Sequence, residues 1–158
     1  MIGAVHSLFI EREWTLASAE SCTGGLISHW ITSLSGASGF FRAGLVAYAG
    51  QIKIDLLRVP VETIEKYGVV SEETAKAMAI GAMVLMKTDY AVATTGNLGP
   101  DTMEGKARGL IYIAVCNWNR TLTRELTLSG SRSENKQQAS AEAIRLILEL
   151  AEANGQDV

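Results

Sequence analysis

The chain has 158 residues, 47% hydrophobic and 20% charged, with a formal net charge of −3 and a pI near 5.4. That length supports one buried core but is short for two ordinary domains, and the acidic balance offers no overall positive field to nucleic acid or an anionic membrane. Cys22 and Cys116 sit in no Cys-x-x-Cys pair or histidine spacing, no apolar run reaches about 18 residues and Met1–Glu13 has no leader pattern. The expectation is a reducing cytoplasm, with no metal, no disulfide framework and no membrane association.

In chain order, Ile2, Val5 and Phe9 recur at helical spacing and predict an amphipathic helix over 2–12. Residues 14–19 read as a strand. Gly24 and Gly25 punctuate the next segment, where Leu26, Ile27, Trp30, Ile31 and Leu34 predict a helix packed on a sheet. After a small-residue loop at 35–39, residues 41–48 supply a second strand, 51–57 a brief helix, and Pro60 suits the first turn of a helix continuing to Lys66. Ser71 is placed to cap the next helix, Glu72 and Glu73 favour its positive end, and Ala75, Met78, Ala79, Ala82, Met83 and Met86 form its core stripe rather than a cofactor box. Residues 89–95 read as a buried strand and 96–105 as a loop. The runs 108–117 and 120–128 suggest an antiparallel hairpin, although its Trp118-Asn119 turn lacks glycine. Ser131 and Glu134 form a capping box before a last helix marked by Ile144, Ile147, Leu148 and Ala151, and a polar tail closes the chain at 154–158.

This alternation predicts an α/β fold, a three-layer α/β/α arrangement with a mixed, mostly parallel sheet. Ligands in such folds collect at the carboxyl ends of strands, where both Ser21 and Thr95-Gly96 fall. A serine between a strand and a glycine-flanked helix start stands on a sharp turn, near free N–H groups able to stabilise an oxyanion. The competing reading is that Ser21 or Thr23 merely caps the helix. The run is no phosphate loop of the ATPase type. His6 and His29 follow no strand, so a histidine triad is not expected; Tyr48 followed by Lys53 offers a phenol and an amine instead, against which stands a core tyrosine and a solvated lysine. Cys22 reads as a buried small side chain rather than a nucleophile, and Glu20 as a general acid or as a carboxylate orienting Lys53 or a loop N–H.

Glu20-Ser21-Cys22-Thr23-Gly24-Gly25, Phe40…Gly44-Leu45-Val46…Tyr48, Lys53, Gly68-Val69-Val70-Ser71, Met78-Ala79-Ile80-Gly81-Ala82 and Thr95-Gly96…Gly99-Pro100 occur in one order. Together they resemble the C-terminal domain of the CinA competence/damage-inducible family, whose active members are nicotinamide mononucleotide amidohydrolases. The resemblance runs from about residue 3 to 151 and implies a single such domain over 1–158, without metal or cofactor and without the large N-terminal domain of full-length CinA. It further implies a small-molecule nucleotide substrate and hydrolysis of its carboxamide, with Ser21 as nucleophile and Lys53, assisted by Tyr48, moving protons. Backbone N–H groups near Cys22 and Thr23 would hold the oxyanion. Gly24, Gly25, Thr95, Gly96 and Asn97 would shape the substrate site, and Arg132, at the start of the last helix, would meet the phosphate. A homo-oligomer is expected, a dimer favoured, with the Trp118 hairpin as a candidate edge.

The chain also departs from the family pattern. Tyr48-Ala49-Gly50 replaces the usual Tyr-Ser-Asn, Thr95-Gly96-Asn97-Leu98-Gly99-Pro100 the usual Thr-Gly-Ile-Ala-Gly-Pro, residues 101–109 a glycine-rich stretch and Gly130-Ser131-Arg132 the usual Gly-Asp-Arg, and Asn135 and Lys136 stand where further arginine is common. A pocket altered in these places could deamidate another ligand or bind one without turnover.

Overall fold

A computed structural model describes residues 1–154. The elements are α1 (Ile2–Glu11), β1 (Leu16–Glu20), α2 (Leu26–Thr32), a 3-10 turn (Ala37–Gly39), β2 (Phe41–Val46), α3 (Gly50–Asp55), α4 (Val61–Tyr67), α5 (Glu72–Met86), β3 (Tyr90–Gly96), β4 (Leu110–Asn117), β5 (Thr121–Thr127) and α6 (Arg132–Asn154). The five strands lie in the order β2-β1-β3-β4-β5. β1 pairs in parallel with β2 and β3, while β3–β4 and β4–β5 are antiparallel, so only β4 opposes the other four strands.

The two faces of the sheet are built differently. On one, Phe9, Leu16, Ile27, Ile31, Phe40, Val92, Ile113, Ile144 and Ile147 fill the space beneath α1, α2 and α6 with large side chains. On the other, Ala19, Ala91, Ala93 and Ala114 meet Ala75, Ala79 and Ala82 of α5, and Met78 and Met83 fill the remaining gaps. Small residues on both partners let this helix lie close to the sheet. Met78 and Met83 of the predicted stripe are buried in the core, whereas Met86, at the end of α5, is half-buried.

Several local predictions meet their mechanism. The Ser71 hydroxyl accepts from Thr74 N–H at the start of α5, and Ser131 and Glu134 exchange hydrogen bonds at the start of α6. The β4–β5 turn closes without glycine because the Asn117 carboxamide oxygen accepts from the N–H groups of Asn119 and Arg120. The starts of β1, β3, β4 and β5 shift inward, while β1 and β3 each run one residue further. β1 begins at Leu16, with the Asp89 carboxylate accepting from Thr15 N–H and Oγ just before it. β4 begins at Leu110 because Gly109 has φ of 79° and lies against Leu128 carbonyl, where a Cβ would collide. The tail at 155–158 lies outside the described residues. Among the described residues no helix is long and apolar enough to cross a membrane.

β1 sits between β2 and β3, and the β1-to-β2 connection through α2 and the β2-to-β3 connection through α5 pass over opposite faces of the sheet. The carboxyl ends of these three parallel strands therefore open a crevice at one edge, the place where α/β sheets bind ligands.

Candidate active site

Glu20, the last residue of β1, is fully buried and faces the start of α2. Its carboxylate accepts five hydrogen bonds: from Thr23 Oγ1 at 2.7 Å, Gly25 N–H at 3.0 Å, Ile27 N–H at 3.1 Å, and Ser28 N–H and Oγ at 2.8 and 2.7 Å. It is thus the anchor of the 21–25 turn and the cap of α2, neither a general acid nor a partner of Lys53. Thr23 Oγ1 also meets Thr94 Oγ1 at 2.8 Å, tying the turn to β3. Gly24 and Gly25 adopt φ of 58° and 97°, which turns the chain directly into the helix.

Held by this turn, Ser21 is only 8% exposed but lines a cavity of about 170 Å³, and its own N–H donates to Thr94 carbonyl. Lys53 projects from α3 beneath it and is 1% exposed. Its Nζ lies 2.9 Å from Ser21 Oγ, 2.8 Å from Ala47 carbonyl and 3.2 Å from Tyr48 carbonyl. Burial pushes the amine down to about 8, against the pull of the Glu104 carboxylate. The three neighbours match both protonation states: an ammonium donates to all three, and a neutral amine gives two hydrogens to the carbonyls and turns its lone pair to the serine hydroxyl. The solvated-lysine reading is therefore excluded, and Ser21 does not serve as a helix cap.

Tyr48 corrects an expectation. Strand alternation continues past β2, so Ala47 is buried and Tyr48 points outward, 61% exposed. Its backbone, not its phenol, contacts Lys53; the phenol oxygen accepts from Arg132 Nη2 at 2.9 Å. Arg132, the first residue of α6, also donates through Nη1 to Gly99 carbonyl at 2.8 Å, so tyrosine and arginine meet beside the cavity they both line.

Of the other predicted residues, Cys22, Gly96 and Asn97 line the cavity with Ser21, whereas Thr23, Gly24, Gly25 and Thr95 do not. Thr95 is turned away, its Oγ1 donating to Val69 carbonyl at 2.6 Å. The Cys22 thiol, pushed up to about 12 by burial, is no thiolate near neutrality. The Asn97 amide group is engaged with the backbone of Met103 and Lys106, so it organises its loop instead of presenting a free polar group. Sequence reasoning missed Leu98, Asp101 and Met103 in the wall, and Asn135, whose buried side chain donates to Leu98 carbonyl and accepts from Gly130 N–H. The departures at 97 and 101–108 are the available signal for the wall, and that at 135 for Asn135. Glu104 and Lys106 dock it by accepting from Val69 and Val70 N–H and donating to Tyr67 and Val70 carbonyls. A larger apolar groove, about 700 Å³, runs between α5 and 55–60; its lining residues include no nucleophile.

The profile of the CinA C-terminal domain matches residues 1–151. The chain belongs to the CinA C-terminal domain family. Among its relatives, a competence-damage inducible protein of Acetivibrio thermocellus is 44% identical over 127 residues, covering 80% of this chain and 31% of that protein. A CinA-like protein of Cytophaga hutchinsonii is 39% identical over 144 residues, 90% of this chain and 34% of that one. This CinA domain therefore spans about a third of the length of the curated relatives it matches. The crystal structure of a competence/damage inducible protein from Agrobacterium tumefaciens superposes with a TM-score of 0.91 at 32% identity, covering 94% of this chain and 92% of that one. That of a CinA superfamily protein from Klebsiella pneumoniae gives 0.92 at 27% identity, covering 96% of each.

Proposed function

We propose that this CinA domain is a serine amidohydrolase that converts nicotinamide mononucleotide to nicotinic acid mononucleotide and ammonia. The observation that carries the reading is the buried Lys53 amine, its pKa lowered to about 8, 2.9 Å from the Oγ of Ser21 in the cavity wall. In the first step Ser21 Oγ bonds to the carboxamide carbon while its proton passes to neutral Lys53 Nζ. The N–H groups of Cys22 and Thr23 donate to no backbone carbonyl among the described residues and are assigned to the oxyanion. Lys53 then returns the proton to the amide nitrogen, the carbon–nitrogen bond breaks, and ammonia leaves an acyl-serine. Water, giving its proton to Lys53, attacks the ester; the tetrahedral adduct expels Ser21, which recovers the proton, and the acid is released.

The cavity is smaller than the roughly 300 Å³ usual for a whole ligand. It is assigned to the amide-bearing ring, with the phosphate outside at Arg132 on the first turn of α6, where guanidinium and free N–H groups favour an anion. Tyr48 orients Arg132 in this reading rather than relaying protons. Self-association is assigned to the β4–β5 edge, where Trp118 is 62% exposed.

Pure protein incubated with nicotinamide mononucleotide should release one ammonia per acid formed, and Ser21→Ala should remove that activity while leaving the thermal midpoint nearly unchanged. Ammonia release surviving the substitution refutes the serine route. A nucleotide-induced rise in thermal midpoint without ammonia release assigns the pocket to binding alone.

A further inference from the structure

Besides Arg132, the cavity has one other charged lining residue, Asp101, on the loop between β3 and β4. These opposite charges share a small cavity yet do not pair. Arg132 is committed to Gly99 carbonyl and the Tyr48 phenol, and among the described residues Asp101 makes no ion pair and no side-chain hydrogen bond. Nor is the carboxylate on a loose strand: the Asn97 amide, the Asn135 carboxamide, and Glu104 with Lys106 fasten the backbone on both sides of it. Arg132 itself holds Gly99, two residues before Asp101. A cleft with an anchored cation and, on an anchored loop, an exposed and unpaired carboxylate is complementary to a ligand that carries both signs apart.

We propose that Asp101 is a specificity-determining residue that selects ligands whose amide-bearing ring is positively charged. This deepens the amidohydrolase reading and rests on it. An N-ribosylated pyridine carboxamide carries a unit positive charge in the ring, and when its amide carbon is at Ser21 that charge lies within the cavity whose wall includes Asp101. Reduction to the 1,4-dihydropyridine keeps the sugar, phosphate and amide but removes the ring charge. A unit charge facing a carboxylate in a half-solvated cleft is worth on the order of tenfold in affinity.

Calorimetric titration of Ser21→Ala protein, in which the proposed turnover is blocked, with nicotinamide mononucleotide and with its dihydro form tests this directly. The oxidised nucleotide should bind on the order of tenfold more tightly. Adding Asp101→Asn should bring the ratio near one by weakening the oxidised form only, Asp101→Glu should keep the preference, and Arg132→Gln should weaken both forms alike. No preference in the parent, or one that survives Asp101→Asn, overturns the assignment. If nicotinamide mononucleotide is deamidated by the unsubstituted chain while the ratio ignores Asp101, only this proposal falls; if it is neither bound nor deamidated, both fall.

Discussion

Replacing Lys53 with methionine separates the electrostatics of burial from every other source of pH dependence. In the folded chain the amine titrates at about 8, against an ordinary value of 10.5. Between those two values the unfolded chain holds a proton that the folded chain has released, so the free energy of unfolding rises with pH across that window. Below about 8 both states are charged and the burial penalty is present in full; above 10.5 neither is. At about 1.4 kcal/mol per unit, wild type should gain about 3 kcal/mol over Lys53→Met on going from pH 8 to 10.5, or roughly 6–12 °C in thermal midpoint for a chain of this size. Other groups titrate in both proteins and cancel in the difference. Urea denaturation of the pair at half-unit intervals measures it, and parallel curves from pH 7.5 to 10.5 would refute the buried, pKa-depressed lysine on which the active-site reasoning stands.

The same value governs turnover: kcat/KM for ammonia release should climb about tenfold per pH unit up to about 8 and then level, as expected of a base that must be neutral. A flat profile from pH 6 to 9 excludes Lys53 as that base. Glu20→Gln exchanges one acceptor oxygen for an NH2 group facing donors, and should cost about 3 kcal/mol in a urea melt, because charged hydrogen bonds at a buried site are lost together; a loss below about 1 kcal/mol contradicts its anchoring role. Light scattering should give twice the 16.9 kDa chain mass, and Trp118→Ser should return it to the single-chain mass; a dimer indifferent to that change places the interface elsewhere.

Helices with one apolar stripe were legible because a 3.6-residue period needs no partner to be seen, and α5 with its Ser71 cap is the clearest case. The Ser21 turn was legible for a related reason, since glycines at positive φ and a cap-forming carboxylate leave a local signature. Three things were not. Strand order depends on which apolar faces meet, and no local pattern reports it. Tyr48 was misassigned because proximity in sequence to Lys53 says nothing about direction: the alternation that buries Ala47 sends the phenol outward to Arg132. Asn97, read as a substrate-site residue, and Asn135, read only as a departure, turn out to fasten the loop, through backbone groups six to nine residues from Asn97 and 37 residues from Asn135.

The carboxylate at the end of β1 is held by hydrogen bonds alone, with no ion-pair partner among the described residues. Its five partners are N–H and O–H dipoles fixed by the turn and the helix they belong to, so there is no mobile counterion for added salt to displace. Arg132 stands at the solvent side and will feel ionic strength; the interior will not. Raising salt should therefore slow the capture of an anionic ligand while leaving the rate of the bound complex where it was.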